Sequence, residues 1–209
     1  MLLENQPKRS QYLNRSSLSI LIVAGSLMGC SHVFISARST AHPYVHKMDD
    51  FLPLDSGQKE TLYTVDGTKT NYSLKTKKDG SSVHFQAISE GKVIDEEVYD
   101  VQNRTILLKE AVGENFLPPI TLIEFPLEVG SQYQWKGKLA CELNKIDGSA
   151  TVLTSTDFVS LKDKSEDAIK VEVNLSFGSG GNRKLSFWFV KGQGILKTEM
   201  VKTIREPKQ

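Results

Sequence analysis

Cysteine is almost missing from this chain: two stand among 209 residues, Cys30 and Cys141. That excludes a multi-bridge disulfide framework, so the fold has to be held by packing. Long apolar runs are missing too. The longest, Leu18–Met28, has 11 residues and includes Ser19, Gly25 and Ser26, well short of the ~20 that a helix needs to cross a bilayer. Neither sign of charge is in excess, with 26 Lys plus Arg against 25 Asp plus Glu. A nucleic-acid surface would show a basic excess or stripe, so that class of partner is set aside. After residue 50 no long amphipathic helical period occurs, which removes helix bundles from consideration. Catalytic signatures are equally scarce. Gly192 and Gly194 lack the third glycine and following helix of a dinucleotide loop. Gly178-Ser179-Gly180-Gly181 lacks the Gly-x-Ser-x-Gly of a nucleophile elbow. His84 falls on the polar face of its strand with no Ser, Cys or carboxylate tied to it by a motif. The expectation is a non-enzyme without cofactor or metal.

What is present begins at the N-terminus. Lys8, Arg9 and Arg15, with Glu4 the only acid, precede the apolar run, whose length suits the hydrophobic region of a secretory signal. The run closes on Leu27-Met28-Gly29-Cys30. Those four residues behind such a run resemble the signal end of bacterial lipoprotein precursors. The resemblance implies cleavage after Gly29, a diacylglyceryl thioether on Cys30, and an acylated N-terminus that anchors the protein in a membrane. Two or more acyl chains hold a protein on lipid durably. Ser31, not Asp, follows the cysteine, and in a double-membrane cell the resemblance then points to the outer membrane, facing the periplasm. A soluble secreted protein and a retained signal anchor are the alternatives. The first would need a small-x-small ending, of which half is supplied, and the second a better span.

Removing residues 1–29 leaves 180, with 23 Lys plus Arg against 24 Asp plus Glu. That length allows one domain with a sizeable core, or two small halves. Residues 30–50 carry the lipidated Cys30 and read as a flexible tether, since neither helical nor strand periodicity persists there. A flexible chain of this size has an end-to-end distance on the order of 25 Å. His42 and His46 have the i, i+4 spacing of a metal pair, but Pro43 between them argues against the helix that would align them.

From residue 51 the pattern is strict alternation. In 132–143 the odd positions are apolar or Gly. Ile169, Val171, Val173, Leu175 and Phe177 repeat the period, as do Leu185, Phe187 and Phe189, and Val83, Phe85 and Ala87. This is the period of strands with one buried face. Asp66-Gly67, Asp79-Gly80 and Asp147-Gly148 read as hairpin turns, and 178–182 as a further turn. Asp95-Glu96-Glu97 and Asp163-Lys164-Ser165-Glu166-Asp167 read as solvated acidic surface without the ligand spacing of a calcium loop. Cys141 reads as a small core residue. The expected fold is all-β: an antiparallel meander of roughly eight to ten strands forming a curved half-open barrel or a two-sheet sandwich. Pro-Leu-acid-x-Gly recurs at 53–57 and 126–130, so two similar halves, 51–110 and 124–200, are expected on one reading and chance similarity on the other. Residues 111–123, with Pro118-Pro119, would join them.

Phe125-Pro126-Leu127-Glu128-Val129-Gly130-Ser131-Gln132-Tyr133-Gln134-Trp135 and Trp188-Phe189-Val190-Lys191-Gly192-Gln193-Gly194-Ile195-Leu196-Lys197 resemble a poorly characterised family of bacterial envelope β-domains. The resemblance covers roughly 120–200 and implies a half-open barrel with no agreed activity. In architecture alone it is similar to periplasmic carriers that hold acyl chains. Two functions follow. One is a non-catalytic binding or assembly module, anchored at the envelope and presenting a sheet edge or concave face to a protein partner. In the other, Tyr133, Trp135, Phe177, Phe187 and Phe189 enclose an apolar ligand such as a lipid acyl chain. The first leads, because aromatic stripes more often pack on each other than on a ligand.

Overall fold

Short turns dictate the connectivity. Val65 pairs with Thr68, Asp79 with Ser82, Ser89 with Lys92, Gln102 with Thr105 and Ala111 with Glu114, so five successive hairpins are closed by two residues each. Such turns lock neighbouring strands antiparallel, and most of them here carry residues at positive φ, as type I′ geometry requires. A computed structural model of the chain describes Phe51 and residues 57–141, 144–161, 164–178, 181–200 and 203–207. It contains β1 (Gly57–Val65), β2 (Thr68–Asp79), β3 (Ser82–Ser89), β4 (Lys92–Gln102), β5 (Thr105–Ala111), β6 (Glu114–Glu124), β7 (Gln132–Cys141), β8 (Asn144–Leu161), β9 (Lys164–Phe177), β10 (Asn182–Val190), β11 (Gly194–Met200) and β12 (Thr203–Pro207). Each pairs with the next, and β1 pairs with β12 from Thr61↔Pro207 to Val65↔Thr203. The antiparallel all-β meander is therefore the fold, with twelve strands where eight to ten were expected, and the ring is closed rather than half-open.

Alternation decides inside from outside. Leu74, Phe85, Tyr99, Ile106, Leu108, Val152, Val171, Val173, Phe187 and Phe189 are buried in one core, while Lys75, Lys77, Lys136, Lys138 and Lys184 are exposed on the outer faces of their strands. Apolar inside and charged outside is the reverse of a membrane-spanning barrel. The interior is filled by side chains that meet across it. Phe85 stands edge-on to Tyr99 at 5.3 Å, and Tyr99 of β4 edge-on to Phe187 of β10 at 6.1 Å. Phe51, ahead of β1, closes one end against Phe125 (5.8 Å) and Phe189 (6.3 Å). We call this end, where β12 also finishes, the proximal end; the hairpins β1–β2, β3–β4 and β5–β6 turn at the distal end.

Three expectations are corrected. Asp147-Gly148 is no turn but lies within β8, where Gly148 faces Gly137 across the ladder; the glycine serves a close side-chain crossing rather than a reversal. Residues 111–123 are no connector, because 114–124 form β6. Its prolines are tolerated because they fall at the irregularity between the Leu108↔Ile120 and Glu110↔Asn115 pairs, where the missing N–H interrupts no ladder bond. Glu97 is no surface acid, as described below. The first copy of the Pro-Leu-acid-x-Gly echo, like residues 1–50, lies outside the described residues apart from Gly57.

Candidate functional site

Among the described residues the five aromatics of the stripe border no common cavity: Phe177 and Phe189 line separate ones. Phe187 and Phe189 are fully buried in the core, and Trp135 is buried edge-on to Phe116 at 6.1 Å, its Nε1–H donating to the Pro118 carbonyl at 2.8 Å. Tyr133 is half-buried near the proximal end, its hydroxyl accepting the Glu124 N–H at 3.4 Å. Phe177 is half-buried at the distal end beneath the Arg183 guanidinium, 5.1 Å from its ring, and Arg183 in turn pairs with Glu114 at 2.6 Å. Cys30 lies outside the described residues, and of Cys141 only its place at the end of β7 is described.

The chemistry that sequence reasoning missed is inside the barrel. Glu97 on β4 and Arg205 on β12 form an ion pair at 2.6 Å, with side chains 3% and 5% exposed. The Tyr99 hydroxyl donates to the same Glu97 oxygen at 2.6 Å, the Thr198 hydroxyl to the other at 3.4 Å, and the guanidinium lies 5.4 Å over the Phe85 ring. Burial, reinforced by the Glu97 carboxylate, pushes the Tyr99 phenol well above its usual range. Burial acts to lower the Arg205 pKa, but the Glu97 carboxylate and Tyr99 outweigh it, so the value is raised and the guanidinium stays charged. With both Glu97 oxygens and the Tyr99 hydroxyl engaged and the Arg205 charge paired, this cluster is a bolt across the barrel rather than a reactive centre. Alternation was the available signal: Glu97, Tyr99 and Val101 share one parity, and Glu97 was passed over because two acids precede it.

On the outer wall His84 Nδ1 lies 2.9 Å from Glu96 Oε1, which also accepts from the Gln86 amide at 2.9 Å. Nearby Glu110 is raised, first by burial and then by Glu96. Among the described residues no three His, Cys, Asp or Glu side chains are grouped to hold a metal ion. Among the described residues, large apolar side chains are exposed at both ends, Phe158 at the proximal one. At the proximal end a groove of about 660 Å³ is bounded by Phe51, Phe158, Ile169, Phe189 and Lys191, with Glu166 and Asp167 on its wall. At the distal end Val65, Val93, Ile94 and Val112 are exposed at three successive hairpins, with Leu117 and Ile146 just below. Among the described residues no helix is long and apolar enough to cross a membrane.

No protein-family model matches the chain, and no curated protein is similar to it. Among solved structures, the chain is similar to a candidate lipoprotein from Parabacteroides distasonis ATCC 8503 at 11% identity and a TM-score of 0.46, over 75% of this chain and 95% of that one.

Proposed function

We propose that the chain is a lipid-anchored, non-catalytic protein of the bacterial cell envelope, a binding or assembly module held by Cys30 at the outer membrane and facing the periplasm. The observation that carries the binding role is Val112. It sits at φ +57 in the β5–β6 turn, where the β1–β2, β3–β4 and β4–β5 turns place Asp66, Glu90 and Asn103 at positive φ. A β-branched residue in that region costs roughly 1–2 kcal/mol, and this one is exposed, so core packing returns nothing for it. Strain kept on a solvent-facing side chain points to a contact made outside the molecule, and Val93 and Ile94 on the neighbouring distal hairpin add exposed apolar surface on one side of it.

Val112→Asn is expected to raise the unfolding midpoint by roughly 2–4 °C, since about 1 kcal/mol of strain is relieved, while weakening capture at the distal rim. A photo-crosslinker at Val93 in growing cells should give a discrete protein adduct that is lost in Ile94→Asp. A midpoint that stays or falls, with adducts unchanged, would remove the rim from the account. The anchor has its own measurement: Cys30→Ser should move the protein from the detergent to the aqueous phase, and continued detergent partition would remove Cys30 from the anchor.

A second reading, a carrier for an apolar ligand, is favoured by the proximal groove, whose floor is Phe51 and Phe189. Natively processed protein that releases stoichiometric lipid on solvent extraction, and loses it in Phe158→Asp, would replace the first reading with this one.

A further inference from the structure

Two strands outrun their neighbours at the proximal end. The last pair between β7 and β8 is Gln132↔Leu153, and the last between β9 and β10 is Ala168↔Val190. β8 and β9 nevertheless stay paired from Asp157↔Ala168 to Leu161↔Lys164, a two-stranded ribbon reaching about 13 Å beyond the ring at ~3.3 Å per residue. An isolated ribbon is marginal in water, and this one is clamped at its root. Trp188 Nε1–H donates to Asp157 Oδ2 at 2.7 Å, and Val159, Ala168 and Val190 are buried with Trp188 in a cluster outside the barrel. Lys170 and Lys197 stand 5.0 and 4.6 Å from the indole. The hydrogen bond from Trp188 is the chief cause that holds Asp157 below the usual carboxylate range, so the acceptor stays ionised. What this rigid arm carries is Phe158, 64% exposed and the most exposed large apolar side chain among the described residues.

We propose that the ribbon places Phe158 in the surface of the bilayer to which the chain is anchored, a second lipid contact that stands the barrel with its proximal end down and its distal rim toward the periplasm. This rests on the anchored reading above. The occupant follows from where the chain comes in. Phe51 floors the same groove, and the 20 residues between it and Cys30 reach at most about 70 Å even when fully extended, so the proximal end is the part of the domain that meets lipid with least extension. Tethering supplies effective concentrations in the millimolar range. Burying one phenylalanine then favours contact on the order of ten- to a hundredfold, which is ample for a tethered domain although trivial for a free one. Asp157, Glu166 and Asp167 outnumber Lys191 among the residues lining this groove, a balance that favours a zwitterionic surface over an anionic one.

The test uses natively processed, full-length mature protein carrying Phe158→Trp, reconstituted in phosphatidylcholine vesicles with brominated acyl chains. Emission in excess of the unsubstituted protein, whose Trp135 and Trp188 are buried, should be quenched at least twofold, less so when phosphatidylglycerol is added. Val93→Trp on the opposite rim is the control and should be unaffected. Vesicle-bound protein whose added emission ignores bromine overturns the proposal alone, as does equal quenching at 93 and 158. A concentration-dependent blue shift without lipid assigns Phe158 to a second copy of the chain and also overturns it. Protein that fails to associate with vesicles at all overturns the anchored reading and this proposal together.

Discussion

Arg205→Met is expected to cost about 3–5 kcal/mol of folding stability, which for a domain of this size lowers the unfolding midpoint by roughly 10 °C. The reason is not that the ion pair is worth so much. Two charges withdrawn from water repay their desolvation only in part. What destabilises is the stranded carboxylate of Glu97, left 3% exposed beside the Tyr99 hydroxyl after losing the cation it pairs with. The same reasoning gives the control. Glu97→Leu/Tyr99→Phe/Arg205→Met removes the charges and the Tyr99 hydroxyl together, leaving only the Thr198 hydroxyl without its acceptor, and should recover to within about 2 kcal/mol of the natural chain in urea titration. If the triple variant is as unstable as Arg205→Met, the cost is lost packing of the Arg205 stem and not a stranded charge. The cluster also explains how a strand as short as β12, Thr203–Pro207, closes a ring. Its five pairs with β1 are supplemented by one side chain that crosses the interior to β4, and a slip of one residue would turn Arg205 out to solvent and leave Glu97 alone.

The legible part of this fold was the part governed by one rule. Alternation in β7, β9 and β10 placed Trp135, Val171 and Phe187 correctly inside, because there the side chain's hydrophobicity and its parity agree. Where another force intervened, composition misled. Glu97 is charged and inside because Arg205, 108 residues away in sequence, neutralises it, and no local pattern announces a partner at that distance. Pro118-Pro119 looked like a linker because prolines remove donors, yet a strand with a bulge can spare them. Val112 was invisible as an outlier until its φ was known, since Val-Gly carries none of the polar signature of Asp66-Gly67. The distal rim is assembled from turns far apart in the chain and could not be read as a unit from spacing, and the β8–β9 ribbon, though continuous in sequence, stands out only where β7 and β10 stop pairing with it. Of the anchor box nothing further is learned from the fold, as it precedes the described residues.

Gly137→Ala should be the most damaging single-methyl addition in the barrel. A Cβ there would lie 2.5 Å from the Leu117 carbonyl oxygen, 2.5 Å from Trp135 Cζ2 and 3.0 Å from Pro118 Cδ. A backbone oxygen and a ring already pinned by its 2.8 Å hydrogen bond to the Pro118 carbonyl have nowhere to go. The wall is also thin here: β6 and β7 share three pairs, Asn115↔Ala140, Phe116↔Leu139 and Leu117↔Lys138, and below them the Trp135 indole bridges the seam. Displacing the indole would therefore remove packing, the bridging hydrogen bond and ladder geometry at once, for an expected loss of about 3 kcal/mol, the upper part of the range for overpacking. Gly148, directly opposite, supplies the internal comparison. Its added Cβ would meet Leu139 Cδ1 at 2.6 Å and otherwise nothing closer than 3.4 Å. The end of a leucine can rotate away, so Gly148→Ala should cost about 1 kcal/mol. Hydrogen exchange separates the two further: Gly137→Ala should expose amides of β6 and β7 selectively, with β9 and β10 still protected. Equal costs at 137 and 148, or uniform loss of protection around the ring, would show that the seam is held by something other than the indole lying across Gly137.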